Sequence, residues 1–369
     1  MSLIPVNRPF INGNEKKYLL EAIESGWISS DGPFVEEFEN KFAKFVDQKY
    51  AVAVANGTAA LEISVKALGI SRGQEVIMPT FTIISCALAV IKNGGVPVFV
   101  DCYPDTWNMN VEQLESKITS KTVAIMPVHI YGLPVEMKPV LEIAKKHKLL
   151  IIEDAAESHG QNYFGKPCGS FGDISTFSFY ANKHITTGEG GMIVTNDLEL
   201  ANKCKKLRNL SFEPEKRFIH YDIGWNYRMT NLQAALGLAQ LEQIANTISR
   251  KKILGQKYQR YFKDIDLFSN PIEEREGYTN NYWVYGVVLN PNLNKSANKV
   301  MASLLEEGVG TRPFFWPMHK QPILKEYSLT SLPVSEHIAE YGLYLPSGVG
   351  TTDEEIERSA TSLLKVLAK

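Results

Sequence analysis

The segment TFSFYANKHITTGEGGMIVTND, residues 176–197, decides the fold and the chemistry that we expect of this chain. It connects the end of one β-rich run to the start of another, and the connection contains Lys183 and the glycine-rich stretch 188–191. Glycine lets a chain double back tightly, and because a strand follows and not a helix, the stretch is not a dinucleotide-binding fingerprint. A lysine in such a bend points toward the carboxyl end of the sheet. Burial there lowers the pKa of the lysine, which makes its free amine available for a covalent bond to an aldehyde.

Strand-like runs alternate with helical periodicity from about residue 15 to residue 245, which is typical of an α/β domain with a mainly parallel sheet. Several runs are apolar without alternation, as expected for strands that are covered on both faces. The seven predicted strands cover residues 51–55, 75–79, 96–100, 123–128, 149–154, 174–179 and 191–195. The helices predicted between them include 58–68, 111–118 and 137–148.

The pattern changes after a long helical stretch at 230–248. The C-terminal part mixes a strand-like run at 282–289, a helix near 296–307 and a closing helix from Asp353. We therefore predict two domains, a large one over residues 1–247 and a smaller C-terminal α+β domain over residues 248–369.

The composition excludes several classes of protein. The chain has 369 residues, of which 44% are hydrophobic and 22% charged, and its formal net charge is −2. This balance is that of a globular protein, and it provides no basic field for binding nucleic acid. No apolar run reaches the roughly 18–20 residues of a membrane span, so we expect no membrane association. The four cysteines form no CxxC pair, which predicts buried thiols in a reducing, cytoplasmic compartment and no metal centre.

Two further strand ends carry residues of the same chemistry. Gly57 and Thr58 follow the first strand and open a helix, whose N-terminal amides suit a phosphate, and Ser178 adds a hydroxyl near Lys183. Asp154 ends another strand and is followed by small alanines that let a flat ring approach. Taken singly, these features are also typical of a helix cap, a solvated acid and a surface lysine. Together they supply the phosphate grip, the acid and the amine that pyridoxal 5′-phosphate (PLP) requires, at the sheet edge where ligands gather.

The quoted segment resembles a known family. With IIEDAAES (151–158) and GWNYRMTNLQAALGLAQLE (224–242), it is similar to the nucleotide-sugar aminotransferases of the DegT–StrS group, which are PLP enzymes of fold type I. The similarity extends from 26–39 to 312–319. It implies an α/β large domain with a mostly parallel seven-stranded sheet, and a homodimer with shared active sites. It also implies transfer of an amino group from L-glutamate to the 4-keto carbon of a nucleotide-linked 4-keto-6-deoxyhexose.

The resemblance further implies roles for individual residues. Lys183 is the catalytic lysine that binds PLP and moves protons, Asp154 pairs with the pyridine nitrogen, and Glu157 lies near the ring hydroxyl. Asn226 reaches the phosphate from the other subunit. The residues implied to hold the phosphate within one subunit are Thr58, Ala59 and Ser178, and those implied to bind substrate are Tyr131, Arg228 and His319.

Two positions depart from the family pattern. Ile83 stands where many members carry an aromatic residue that stacks on the PLP ring, so the stacking is either aliphatic or supplied by Phe81. His184 follows the lysine; one branch of the family replaces the lysine itself by histidine and is a deoxygenating dehydratase, but Lys183 is retained here. The segment 208–221 lacks the usual glycine-rich form, which leaves the sugar open. The alternatives are amination at C3, a UDP- or dTDP-linked or larger keto-sugar, a PLP-dependent sugar dehydratase, and a non-catalytic homologue.

Overall fold

A computed structural model describes residues 2–213, 215–216, 218–328 and 330–368. The helices are α1 (Glu15–Glu24), α2 (Pro33–Phe45), α3 (Gly57–Ala67), α4 (Ser85–Lys92), α5 (Leu114–Lys117), α6 (Met137–His147), α7 (Leu198–Arg208), α8 (Asn231–Glu242), α9 (Ile244–Tyr261), α10 (Ala297–Glu306), α11 (Pro333–Tyr341) and α12 (Asp353–Ala368). The strands are β1 (Tyr50–Val54), β2 (Glu75–Pro79), β3 (Val96–Val100), β4 (Thr122–Ile125), β5 (Leu150–Asp154), β6 (Asn162–Tyr163), β7 (Lys166–Pro167), β8 (Ile174–Ser178), β9 (Gly191–Thr195), β10 (Phe268–Ser269), β11 (Glu274–Arg275), β12 (Tyr278–Thr279), β13 (Tyr285–Leu289), β14 (Arg312–Pro313) and β15 (Gly342–Leu345).

In the described part of the chain, seven strands form the main sheet, in the order β1-β9-β8-β5-β4-β2-β3. The pairs β2–β3, β2–β4, β4–β5 and β5–β8 are parallel, whereas β9 runs antiparallel to β1 and β8. The predicted mostly parallel sheet of fold type I is thus confirmed, with all seven predicted strands in place. Because β9 is reversed, its first residue, Gly191, lies beside the carboxyl ends of β1 and β8 and pairs with Val54 and Ser178.

The main sheet is covered on both faces, as its apolar strands predict. Along β1 the side chains alternate between two clusters: Ala51 and Ala53 pack with α2 and α8, whereas Val52 and Val54 pack with α3. This two-sided burial explains why the strands read as apolar runs without alternation.

Two predicted helices differ from the structure. Residues 111–118 form a 3-10 turn (Val111–Gln113) followed by the short α5, and the stretch 230–248 is two helices. A capping box starts α8, in which the Thr230 hydroxyl accepts from the Gln233 amide and the Gln233 side chain binds back. Gln243, with φ −101° and ψ 5°, leaves the helical region and separates α8 from α9.

The C-terminal part has its own sheet, in the order β10-β13-β15-β14. Its core includes Tyr285 and Leu345 from the strands, Leu363 from α12 and Tyr258 from α9. α9 runs through position 247 without interruption, so the boundary between residues 1–247 and 248–369 lies inside a helix and stays a prediction. Among the described residues, no helix has both the length and the apolarity that crossing a bilayer requires.

Candidate active site

The carboxyl ends of β1, β5 and β8 converge on one cavity of about 570 Å³. The predicted site residues that line it are Gly57, Thr58, Ala59, Ile83, Asp154, Glu157, Ser178 and Lys183. The pairing of β9 with β8 returns the chain from this edge, so the bend that contains Lys183 lies over the ends of the strands. These residues come from separate segments of the chain, and the first and the last of them are more than a hundred positions apart.

The start of α3 forms a close-packed cradle. The Asn56 side chain caps the helix by accepting from the Ala59 amide at 2.8 Å, which leaves the amides of Gly57 and Thr58 at the opening of the helix. A Cβ added to Gly57 would lie 2.8 Å from the Cβ of Ser178, so only glycine lets the helix approach the end of β8 this closely. Helix-opening amides beside a serine and a threonine hydroxyl fit a phosphate.

Lys183 is buried in the cavity wall, with its side chain 9% exposed. Its Nζ lies 3.5 Å from Glu157 Oε1 and 3.6 Å from the ring centroid of Trp283. Burial lowers the pKa of Lys183 below its ordinary value, and the carboxylates of Glu157 and Asp154 oppose that shift. The bend therefore favours the free amine, as the sequence predicts.

Asp154 presents a buried carboxylate at the end of β5. Its Oδ1 accepts from the Ala156 amide at 3.0 Å, and its Oδ2 accepts from the Cys86 thiol at 3.2 Å. Burial raises the pKa of Asp154, although these two donors bind its ionised form. A buried carboxylate that accepts from one amide and one thiol is suited to receive a protonated ring nitrogen as a further donor.

Glu157 lies between the catalytic amine and the backbone. Its Oε2 accepts from the Tyr131 amide at 2.9 Å, and burial raises its pKa to about 7, against the opposing effect of Lys183. Tyr131 adopts φ 56°, a left-handed conformation that is uncommon for a tyrosine and that directs its amide toward Glu157. The amine and this carboxyl group therefore titrate as a coupled pair, in which the charge of each favours the ionised form of the other.

Ile83, not Phe81, faces the cavity. Ile83 is 42% exposed and lines the cavity wall, whereas Phe81 is fully buried in an aromatic cluster with Tyr131, Phe314 and Phe315. Of the two possibilities raised by the sequence, this placement favours an aliphatic contact with a bound ring.

His184 points away from the cavity although it follows Lys183 directly. It is buried, its ring centroid lies 6.2 Å from that of His159, and burial lowers its pKa well below the ordinary value. His159 stacks on Phe177, with ring centroids 5.6 Å apart. His184 thus belongs to the core beneath the sheet edge and does not take the place of the lysine.

Four predicted residues do not line the cavity of the single chain. Asn226 is exposed, and Arg228 donates to Asn209 Oδ1 at 2.5 Å. Tyr131 is buried behind Glu157, and its hydroxyl accepts from the Phe315 amide at 3.3 Å. The substrate and cofactor roles of these residues stay predictions.

His319, the fourth of them, joins two segments of the chain. It lies 2.8 Å from Thr80 Oγ1 through Nδ1 and 2.9 Å from Glu336 Oε1 through Nε2. The contact with His319, ahead of one with Lys320, lowers the pKa of Glu336 to about 2. Because both ring nitrogens are engaged, the geometry gives His319 an anchoring contact, and its substrate role stays a prediction.

A buried cluster beside the site contains three residues of the types that bind metal ions in proteins. The ligand atoms of His129, Glu153 and Cys168 lie within 4.8 Å of one another. The Val135 amide donates to His129 Nδ1, and the oxygens of Glu153 accept from the Gly169, Phe171 and Gly172 amides and the Ser175 hydroxyl. Burial raises the pKa of Glu153, but His129 and these donors outweigh it and lower the pKa. The cluster is a hydrogen-bonded support for the strand that carries Asp154, and we assign no metal to it.

Sequence reasoning missed several residues of the cavity wall. Trp283 and Tyr344 come from the C-terminal part, where no local motif singles them out. Phe315 lies in the segment 312–319 that shares in the family resemblance, but no role was assigned to it. Cys86 is the hydrogen-bond partner of Asp154 but looks like any buried thiol in the sequence. Asn56 could have been found from the sequence, because an asparagine before Gly-Thr at the end of a strand is typical of a helix cap.

Comparisons with known proteins agree with this geometry. A sequence model of the DegT/DnrJ/EryC1/StrS aminotransferase family matches residues 9–364. The chain is 43% identical over 365 residues to the GDP-perosamine synthase of Caulobacter vibrioides, covering 99% of this chain and 98% of that protein. It is 42% identical over 356 residues to the GDP-perosamine synthase of Escherichia coli O157:H7, covering 96% of each. A putative sugar aminotransferase from Streptococcus pneumoniae, solved in its PMP form, superposes with a TM-score of 0.92 at 26% identity, covering 99% of both chains.

Proposed function

Because the chain belongs to the DegT/DnrJ/EryC1/StrS aminotransferase family, we propose that it transfers the amino group of L-glutamate to the 4-keto carbon of a GDP-linked 4-keto-6-deoxyhexose. The protein is a PLP-dependent aminotransferase. Its similarity to two GDP-perosamine synthases over nearly their whole length supports GDP as the nucleotide. The product is then a 4-amino sugar nucleotide for polysaccharide or O-antigen synthesis.

The observation that carries this proposal is the meeting of Lys183, Asp154 and the opening of α3 in one cavity. PLP, when bound, withdraws electrons from the substrate carbon that bears the amino group and carries that amino group between the two substrates. The amides of Gly57 and Thr58 and the hydroxyl of Ser178 fit its phosphate, and the buried carboxylate of Asp154 fits its ring nitrogen.

The residues around Lys183 support proton transfer at the substrate carbon. The neutral amine takes a proton from the glutamate carbon, and the ammonium form delivers one to the sugar carbon in the second half of the cycle. Burial favours the neutral form of the Lys183 amine and Glu157 favours its charged form, so the same side chain can both accept and donate a proton. Phe315 and Tyr344 add aromatic surface to the wall of the cavity.

Mass spectrometry tests the substrate. The purified protein is incubated with PLP, L-glutamate and a panel of GDP-, UDP- and dTDP-linked 3- and 4-keto sugars. We expect 2-oxoglutarate and one aminated sugar, formed with ping-pong kinetics, from the GDP-linked 4-keto-6-deoxyhexose. Amination of a different nucleotide or ring position would refute the proposed substrate, and a deoxygenated product without nitrogen would refute the aminotransferase reaction.

Two variants test the lysine. Lys183→Ala should reduce turnover by about 10²–10⁴-fold or more and abolish the covalent attachment of PLP. Lys183→Arg is the matched control, because it keeps the positive charge but cannot bond to the aldehyde or accept a proton at neutral pH. Either variant transaminating at the wild-type rate would refute the role of this amine.

We also propose a homodimer whose partner subunit completes each active site. Asn226 is exposed on the single chain and does not line its cavity. The loop just before it carries the exposed apolar side chains of Phe218, Tyr221 and Ile223, which are 82%, 71% and 78% exposed. An exposed apolar segment of this kind is typical of a protein interface.

Mixing two inactive variants tests the shared site. In a mixed dimer of Lys183→Ala and Asn226→Asp subunits, one site combines an intact lysine with an intact partner asparagine. Activity should therefore reappear on mixing if Asn226 acts across the interface, and sedimentation should give twice the mass of one chain. If no activity returns from dimers shown to exchange subunits, Asn226 acts within its own subunit.

For the compartment we propose the cytoplasm. All four cysteines are free and buried, and secreted proteins use cysteines mainly in disulfides. Fractionation of cells that express the tagged protein tests this assignment.

A further inference from the structure

We propose that the indole face of Trp283 is the resting site of the Lys183 ammonium group whenever that amine is not bonded to PLP. This inference rests on the proposed role of Lys183. An aminotransferase lysine is released from the cofactor in one half of its cycle and must return in the other. Its position in the released state therefore matters for turnover.

The free amine has two favourable neighbours in the structure. Its Nζ lies 3.6 Å from the centroid of the Trp283 ring and 3.5 Å from Glu157 Oε1. The side chains of Lys183 and Glu157 are only 9% and 7% exposed, so little water competes for the ammonium group. A cation over a tryptophan face is stabilised most strongly when it is desolvated in this way.

Trp283 is fixed in this orientation from several sides. Its indole Nε1 donates to the Asn182 carbonyl at 2.9 Å, and its backbone amide donates to the Tyr131 carbonyl at 3.1 Å. Its own carbonyl accepts from Lys251 Nζ at 3.0 Å, and the same Nζ bonds to the Ser347 carbonyl. The backbone bonds fix the position of the residue, and the ring cannot turn away from the amine without breaking the indole bond to Asn182.

This arrangement connects the catalytic amine to the C-terminal part of the chain. Trp283 lies two residues before β13, and Lys251 lies on α9, so neither belongs to the bend that carries Lys183. The indole bond to Asn182 closes the connection, because Asn182 is the residue before the lysine. The Trp283 ring thus positions the amine in two ways: its face contacts the Lys183 ammonium group, and its nitrogen binds the neighbouring residue Asn182.

The protonation state of the amine should respond to the ring. Without the ring, the ammonium form loses a favourable contact while its burial remains, so a larger fraction of the amine is neutral at a given pH. The neutral amine is the form that bonds to the PLP aldehyde. Loss of the ring therefore makes the attachment of PLP faster at pH values where most of the amine is still protonated.

The experiment measures the attachment of PLP to the apoprotein, without turnover. The apoprotein is mixed with saturating PLP between pH 6 and pH 10, and the first-order rate is followed by absorbance. Borohydride reduction and peptide mass spectrometry identify the modified residue. For Trp283→Leu we expect the midpoint of the rate profile to fall by about one pH unit and the rate below the midpoint to rise about fivefold to thirtyfold relative to the plateau.

Trp283→Phe and Trp107→Phe complete the design. Trp283→Phe keeps a weaker π face and should shift the midpoint by a smaller amount. It also keeps the test possible if Trp283→Leu does not fold. Trp107 is buried in the same aromatic cluster, in contact with Tyr131 and Phe314, and its replacement should leave the midpoint unchanged. An unchanged midpoint in both Trp283 variants overturns the inference. Modification of a residue other than Lys183 in the wild type would instead overturn the proposed function.

Discussion

Gly57→Ala tests whether the close approach of α3 to β8 forms the phosphate cradle. An alanine Cβ at position 57 would lie 2.8 Å from Ser178 Cβ and 3.2 Å from Ser178 Oγ, whereas ordinary contacts begin at 3.4 Å. The start of the helix or the end of the strand must therefore move by about 0.6 Å. The amides that bind the phosphate move with it.

The size of the effect follows from this displacement. Overpacking of a tight site costs about 1–3 kcal/mol, which corresponds to a loss of PLP affinity of about five- to 150-fold. Alanine is the better helix former by up to about 1 kcal/mol, so α3 itself should not be destabilised. The loss should thus appear in the binding of PLP and not in the helix content of the apoprotein.

A double-mutant cycle separates the clash from other effects. Ser178→Gly removes both close contacts and leaves only the Ser178 Cα, at 3.4 Å from the added Cβ. The dissociation constant of PLP is measured by absorbance titration for Gly57→Ala, Ser178→Gly and the double variant. We expect the double variant to bind PLP better than the sum of the single losses predicts, by at least about 1 kcal/mol. Additivity within about 0.5 kcal/mol would refute the reasoning, because residues that do not touch behave in that way.

Three further predictions concern buried titratable groups. Cys86→Ala removes the thiol donor of Asp154, so we expect the free energy of unfolding in urea to fall by about 1 kcal/mol more than for Cys204→Ala, a buried cysteine that faces basic charges; equal losses would contradict this. Glu157→Gln removes a carboxylate that raises the pKa of the catalytic amine, so the acid limb of the PLP-attachment profile should move to lower pH, and an unmoved limb would exclude this coupling. Burial lowers the pKa of His159 from 6.5 to about 3, so the stability that its neutral form provides is present above pH 6.5 and is lost as the pH falls. Between pH 6.5 and 5 this group should cost the wild type about 1–2 kcal/mol of unfolding free energy, and His159→Gln, which keeps a hydrogen-bond acceptor, should flatten the pH dependence by that amount.

Much of the main sheet could be predicted because its signals are local. Apolar runs such as 96–100 and 191–195 are short, continuous and bounded by turns, and each is a strand of the main sheet. The stretch 230–248 shows where local signals fail. Its apolar periodicity continues across Gln243, but the backbone leaves the helical region there, and no residue type marks the break.

The site could be predicted where its residues stand directly at strand ends. Asp154, Ser178 and the start of α3 follow from the rule that parallel strands present their carboxyl ends at one edge. Only the structure showed that Ile83 faces the cavity and Phe81 the core. In a loop, unlike in a strand, the spacing of two residues does not determine whether their side chains point to the same side. Contacts such as Cys86 with Asp154 join residues 68 positions apart, and no pattern in the sequence relates them.

The sequence by itself determined the succession of strands and helices along the chain and the residue types that meet a cofactor. It could do so because hydrophobic periodicity and turn signals each depend on only a few neighbouring residues. Only the tertiary structure decided which groups surround the catalytic amine. Trp283 reaches Lys183 from a segment a hundred positions further along the chain, held by hydrogen bonds that it donates to the Asn182 and Tyr131 carbonyls and one that it accepts from Lys251. Such contacts depend on how separate layers pack, and packing is a property of the whole chain.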